Sequence, residues 1–447
     1  MYMGIELPDS GAKIVEMGAY SSLIASSVIN TIKINPRNVL VLSDTDSFFE
    51  TNVVSVELND EGHCVAVPKE NYKLKNTIND GMALLDKSLF PSWGLGYVLL
   101  RNHMTKCAAF KTDIQKFFKD HYGDKYNKTV VVDLWGNKHF VKDIQMITTT
   151  EAMKWLKFNI TYDEFCEKVN EIDNTWGVVK TAHPSKHLDG KVQRMRYQMV
   201  NCLDMETLGN VTKFSEDYIW QLKSDDKVFL QFLKDNTNYA NDYDVLLALV
   251  KHCGDDFLRC DYFQTRRNKI IEGFVAKFKS GKVYIENADN LVVCGNPYAL
   301  LLKAVGENPL SDNTFSQRDD CIECYAPRFD DGEFLAGFRS PHNGINNILA
   351  LKNTYHPFFD RYFDISNQCI MVNCIGTDIQ DRANGCDFDS DMIFCTNQED
   401  IVNRALYAYK NYPTIVNNVP MEISSYGNTP QDYARGLLQN LNLARFI

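Results

Sequence analysis

A chain of 447 residues is long enough for two or three domains. Its 45% apolar and 12% aromatic content is that of a well-packed globular protein and excludes a disordered or fibrous chain. The net charge of −11 does not suggest a nucleic-acid binder, although such binding follows local patches rather than the total.

No apolar run reaches the length of a membrane span. The start, Met1-Tyr2-Met3-Gly4-Ile5-Glu6, lacks the basic and apolar regions of a signal peptide. The 13 cysteines are scattered and odd in number, which points to reduced thiols in a cytosol-like, cytoplasmic compartment; with no spanning run, no membrane partner is expected. Cys321 and Cys324 have CxxC spacing, but no second pair completes a zinc site, so free thiols are expected.

Residues 1–37 read as a poorly defined lead-in. From Asn38-Val39-Leu40-Val41-Leu42 the pattern is β-like. Short apolar runs recur at Val53-Val54-Ser55-Val56, Cys64-Val65-Ala66-Val67, Tyr97-Val98-Leu99-Leu100 and Val130-Val131-Val132. Turn residues separate them, as at Asn59-Asp60-Glu61-Gly62 and Trp135-Gly136-Asn137. Residues 38–148 therefore read as a first β region of barrel or sandwich type. Residues 149–280 read as a helical connector, too long for a loop. Within it, Tyr243-Asp244-Val245-Leu246-Leu247-Ala248-Leu249-Val250 has no strand alternation. Residues 281–400 form a second β region, with Lys282-Val283-Tyr284-Ile285, Asn290-Leu291-Val292-Val293-Cys294 and Cys369-Ile370-Met371-Val372. Residues 401–447 read as a helical tail.

The chemistry concentrates near the end of the second β region. Asp387, Asp389 and Asp391 alternate in Gly385-Cys386-Asp387-Phe388-Asp389-Ser390-Asp391-Met392. Carboxylates this close cannot all stay ionised without a compensating cation. An oxygen-only cluster selects Mg²⁺, Mn²⁺ or Ca²⁺ over zinc. A calcium EF-hand is excluded, because its glycine position is Met392 and its glutamate position is Gln398. The bland alternative is a solvated acidic turn.

Four further segments bear on function. Phe338-Arg339-Ser340-Pro341-His342-Asn343-Gly344 gathers Arg, His and Asn around a Pro-Gly turn, where Arg339 can clamp phosphate or sugar oxygens. Lys106 and Lys111 flank an apolar run and are candidate phosphate ligands, or surface lysines at a helix start. The basic stretches 191–198 and 277–282 carry interleaved apolar and aromatic residues; they fit either a nucleic-acid channel or solvated helix faces. Leu42-Ser43-Asp44-Thr45-Asp46-Ser47-Phe48 contains the Asp-Thr-Asp-Ser of B-family DNA polymerases, but without their preceding Tyr-Gly it reads as a turn ending a strand. No P-loop and no Gly-x-Ser-x-Gly elbow is present.

The aspartate run resembles the Asp-x-Asp-Gly-Asp loop of the two-barrel RNA polymerases, most closely the single-chain phage and RNA-silencing types. Phe338-Arg339-Ser340-Pro341-His342 resembles the Arg-x-Pro element that precedes that loop, and Cys369-Ile370-Met371-Val372 the strand leading to it. Asn79-Asp80-Gly81-Met82-Ala83 and Phe110-Lys111 resemble the Asp-Gly and basic elements of the other barrel. The resemblance covers roughly residues 38–400. It implies an α+β fold of two double-psi β-barrels joined by a largely helical connector. It implies a template-directed RNA polymerase core, a nucleotidyltransferase that joins nucleoside triphosphates to an RNA 3′-end. Asp387, Asp389 and Asp391 would be its catalytic residues and would hold Mg²⁺, with Mn²⁺ as a substitute. Arg339 would orient the ribose, and Lys111 with Lys106 would contact phosphates; the sequence alone leaves the choice among Lys106, Lys111 and Lys142 open. Implied partners are a nucleic-acid template, the RNA product, nucleoside triphosphates and a further polypeptide completing the enzyme. The implied location is a bacterial host cytoplasm, or the virion, for a phage-encoded chain.

Two departures accompany this resemblance. Ser390 stands where the family has Gly, and Ser adopts glycine's backbone angles only at a cost. Little chain follows the aspartates, which leads to the expectation of a fragment, one part of a split enzyme or a degenerate copy. The competing readings are a degenerate homologue that binds nucleic acid or a partner without turnover, and an unrelated Mg²⁺-dependent phosphohydrolase.

Overall fold

The computed structural model describes residues 25–420 continuously, with Glu16, Met17, Tyr20, Leu23 and scattered positions from Gly427 to Leu438. Most of the expected lead-in and much of the expected tail lie outside the described residues.

Two β units dominate. The second is a closed six-stranded barrel, in the spatial order Ala288–Cys294, Cys369–Val372, Ile322–Tyr325, Leu349–Asn353, Phe334–Arg339 and Met392–Thr396. The first is a seven-stranded sheet, in the order Asn30–Lys33, Thr175–Thr181, Tyr97–Asn102, Thr105–Thr112, Met82–Asp86, Met146–Thr149 and Val39–Leu42. Ranked by chain position, the six strands after Asn30–Lys33 run 6-3-4-2-5-1 across the sheet, and the barrel from Met392–Thr396 backwards runs 6-3-4-2-5-1. The senses match as well. In both, the strands ranked 1 and 5, and 2 and 4, pair in parallel, and the rest antiparallel. The units therefore share one topology without a repeat legible in the residues. They differ at the seam. In the barrel, Met392–Thr396 closes onto Ala288–Cys294, whereas in the sheet Asn30–Lys33 takes the edge of Thr175–Thr181 and the curl stays open.

Val39–Leu42 and Tyr97–Leu100 read as unbroken apolar runs because both faces of the sheet are covered. Side chains alternate between two cores. Tyr97, Leu99, Ala108 and Phe110 join the core shared with the barrel, through Leu291, Leu349 and Ile393 among others. Val98, Leu100, Cys107 and Ala109 face the other way, towards Trp155, Phe165 and Trp176. One face of the sheet is thus committed to the barrel.

Several sequence expectations shift. Asn30–Lys33 was read as lead-in and Thr175–Thr181 as connector, yet both are strands of the first sheet. Their apolar signal is weak because Thr, Gly and Lys interrupt it, and pairing with Tyr97–Asn102 overrides that. Lys106 and Lys111 lie on a strand, not at a helix start. Within the segment 42–48, residues 43–45 are indeed a turn between strands, with the Asp44 carboxylate accepting from the Glu151 N–H at 3.1 Å. All 13 cysteines are free thiols. No described helix is long and apolar enough to cross a membrane.

The connector holds the helices Met205–Ser224, Asp226–Asn236, Tyr243–Cys253 and Asp261–Lys279 around a core of their own. The helix Glu399–Asn411 covers the outer side of the barrel, against Phe338, Ala350 and Phe394.

Candidate active site

The aspartates lie on the loop that enters the last barrel strand, Met392–Thr396. Several contacts fix its shape. The Asp391 carbonyl accepts from the Val293 N–H at 3.0 Å, continuing the barrel ladder. The Asp391 carboxylate accepts from the Asp387 N–H at 3.1 Å and from the Arg339 guanidinium at 2.7 Å. Arg339 also donates to the carbonyls of Ala383 at 3.0 Å and Asn384 at 2.8 Å. Its fork therefore holds two chain segments together, a task for which the shorter-reaching single ammonium of Lys is unsuited.

The sheet clamps the same loop from the opposite side. The Phe388 N–H donates to the Asp80 carbonyl at 2.9 Å, and Phe388 is fully buried. Gly81 follows, with φ +74°; a Cβ there would stand 2.5 Å from Cβ of Asp389. Glycine is required at this position twice, by its backbone angle and by the close approach of the loop. Its carbonyl accepts from the Ala108 N–H at 3.1 Å, tying the turn to the strand Thr105–Thr112.

That strand brings Lys106, whose ammonium pairs directly with the Asp389 carboxylate; the two side chains are 22% and 15% exposed. Pairing register adds two more cations to the same face. Arg101 stands opposite Lys106, and Lys180 opposite Leu99, two residues before Arg101. Burial pushes both side chains towards deprotonation, while Asp389 opposes this at Arg101 and Asp391 opposes it at Lys180. The Lys180 ammonium lies 3.6 Å from the Met392 sulfur, at the edge of the loop.

Even so, neither Asp387 nor Asp80 is ion-paired with a described residue. Burial, then Asp389 and Asp391, push the Asp387 carboxyl up to about 7. Asp80 is pushed up to about 6, mainly by burial, with Lys154 opposing and Glu151, Asp44 and Asp389 adding. A hard divalent cation suits this all-oxygen donor set, in which Asp387 has no cationic partner among the described residues. The carboxylates are turned to Lys106 and Arg339, and among the described residues no three acidic, His or Cys side chains are gathered as a ready cage.

Ser390, between two of the aspartates, has φ +121°. This is the left-handed side of the backbone map that favours glycine, so the serine is strained.

No family profile and no curated protein matches the chain. Among solved structures, the RNA-dependent RNA polymerase QDE-1 from Thielavia terrestris matches over 88% of this chain and 39% of its own length. The TM-score is 0.54 and the identity 12%. The fold is the α+β double-psi β-barrel fold. The chain spans well under half of that polymerase, and at this identity the likeness is one of fold.

Within this fold, the residues singled out from sequence are distributed unevenly. Asp387, Asp389, Asp391, Arg339 and Lys106 come together. Lys111 does not join them. It is five residues from Lys106 on one strand, an odd separation, so it leaves on the opposite face. There it pairs with the exposed Asp364 and lies 5.9 Å from the Phe90 ring centroid. Lys142 is exposed in a short 3-10 helix, above the Phe140 ring. His342 is buried beside Phe338, with both ring nitrogens unpartnered, and burial pushes it down to about 4. Arg101 and Lys180 were missed. Each is a single basic residue in an apolar strand, and only their parity relative to Lys106 could have flagged them.

Proposed function

We propose that this chain is the catalytic core of a template-directed RNA polymerase. In this reading it joins nucleoside triphosphates to an RNA 3′-end and releases pyrophosphate. One observation carries the reading: a barrel loop with three aspartates faces Lys106, Arg101 and Lys180 of a second unit with the same topology. The reaction needs this polarity, because a triphosphate and a metal-binding carboxylate cluster must meet in one cleft.

Asp387, Asp389 and Asp391 would hold Mg²⁺, or Mn²⁺ in its place; the metal would supply charge stabilisation at the transferring phosphoryl group. The protein's part follows from its geometry. Lys106, released from Asp389, is placed to meet phosphate oxygens, with Arg101 and Lys180 on the same face adding fixed positive charge. Such preorganised cations act strongly where water is excluded. Arg339 holds Asp391 and the loop carbonyls, so it positions the carboxylates and sits beside the place of an incoming sugar. Gly81 and Asp80 keep the loop pressed to the sheet.

The test is incorporation of labelled nucleotide on primed and unprimed RNA and DNA templates, with Mg²⁺ or Mn²⁺. Wild type should extend a strand, and Asp389→Ala should not while keeping its fold. Absence of extension by wild type on every template would overturn the reading. A second reading, a degenerate homologue that binds without turnover, draws on the strained Ser390 and on the ion pairs that already neutralise Asp389 and Asp391.

A further inference from the structure

The connector carries a second, separate concentration of positive charge. The strand Val192–Met195 pairs antiparallel with Val283–Glu286, setting Arg194 opposite Tyr284. This pairing unites the basic stretches 191–198 and 277–282. The Arg194 guanidinium lies 5.6 Å from the Tyr284 ring centroid. The helix Asp261–Lys279 forms the facing wall. Its Arg266, Lys269, Gly273 and Lys277 recur at three- and four-residue spacing and share one face. Together with Arg194 they line a pocket of about 410 Å³.

The charge in this pocket is not balanced internally. Its one carboxylate, Asp242, is held by Arg266 at 2.6 Å. Arg194, Lys269 and Lys277 form no ion pair with any described residue. Three uncompensated cations in one concavity of a chain with net charge −11 attract a polyanion and repel one another without it. The half-buried His187, 3.1 Å from the Tyr284 hydroxyl, registers the field: burial first, then Arg194 and Lys277, push it down to about 4.

The rest of the lining is of amide, apolar and aromatic side chains. Asn236, Asn238 and Asn241 line the pocket too, their amides donating to the Phe232 and Asn236 carbonyls and so shaping the loop. Tyr239, between Asn238 and Ala240 in the chain but outside the pocket lining, stands fully exposed, at 105%. At Gly273, a helix-interior glycine, an added Cβ would meet nothing within 4 Å. No internal packing accounts for that glycine, which helices disfavour, and the wall is lowest there.

We propose that this pocket binds the phosphodiester backbone of a single-stranded nucleic acid, with Arg194, Lys269 and Lys277 on phosphates and Tyr239 stacked on a base. The proposal rests on the polymerase reading for the identity of the polyanion. It extends the protein's contact with the strand beyond the aspartate loop, onto the connector.

The test is fluorescence anisotropy of a labelled single-stranded RNA with the full chain, at salt between about 50 and 200 mM. Lys269→Gln/Lys277→Gln should bind about 10-fold more weakly, with a log–log salt slope shallower by about 1.4, and with thermal unfolding unchanged. Tyr239→Ala should weaken binding about 10-fold without changing the slope. Unchanged affinity and slope in the double variant would overturn the proposal. So would full displacement of the strand by inorganic phosphate at equal phosphate concentration, which marks a free-anion site. The two readings fail separately. Lysine-dependent binding without nucleotide incorporation keeps this inference and removes the polymerase; incorporation with lysine-independent binding does the reverse.

Discussion

In the barrel, the charge that matters is local. Asp387, Asp389 and Asp391 fall within five residues on one loop, and Arg339 reaches them from an adjacent strand. In the sheet, the opposing charge is assembled. Arg101, Lys106 and Lys180 come from three strands and meet only through cross-strand register. The two units share a strand order, so the contrast is not one of fold. It shows that one topology can carry a site either as a contiguous motif or as a face.

That contrast can be broken or sharpened by substitution, and the largest effect belongs to the local half. Asp389→Ala should lower nucleotide incorporation by about 10³-fold or more, equivalent to about 4 kcal/mol in single-turnover kinetics. Residual activity within 10-fold of wild type would mean that the loop is not the site. Lys106→Met comes next, with a loss of about 10²-fold, or about 2.7 kcal/mol. If Lys106 only neutralises Asp389, incorporation would instead be unchanged or would rise.

Gly81→Ala tests the clamp between the units. Its new Cβ meets Asp389 at 2.5 Å on a backbone with φ +74°, so about 2 kcal/mol should be lost in denaturant unfolding. Ser390→Gly goes the other way. It relieves a residue at φ +121° and should stabilise the chain by about 1 kcal/mol, read as a higher urea midpoint at constant slope. The smallest effect is expected at Lys111→Met. Its partner Asp364 is 70% exposed, and such a pair contributes only about 0–1 kcal/mol, so incorporation should stay within about 3-fold of wild type. Equal losses at Lys106 and Lys111 would contradict the assignment of faces.

How much of this was legible in the sequence follows the same division. The aspartate loop and the strand before it, Cys369–Val372, stood where apolar runs and alternating carboxylates put them. The helix Glu399–Asn411 and the helical character of 243–250 were equally plain. Strands such as Thr175–Thr181, where Thr, Gly and Lys interrupt Trp176, Val178 and Val179, were not. Neither was the pairing of lysines with aspartates. Lys106 and Lys111 look equivalent as letters, and only the discovery that they share a strand, at odd separation, sends them to opposite faces. Ser390 was legible as a departure from glycine, and its φ gives that departure a physical meaning.

The central claim is that the aspartate loop exchanges its contact with Lys106 for a divalent cation that the sheet's basic face then helps to use. Anomalous diffraction from crystals soaked in Mn²⁺ tests it most directly. The account predicts a peak among Asp387, Asp389 and Asp391, with the Lys106 ammonium turned away from Asp389 towards the cleft. Absence of a peak in this loop, with Lys106 still paired to Asp389 at saturating Mn²⁺, would contradict it.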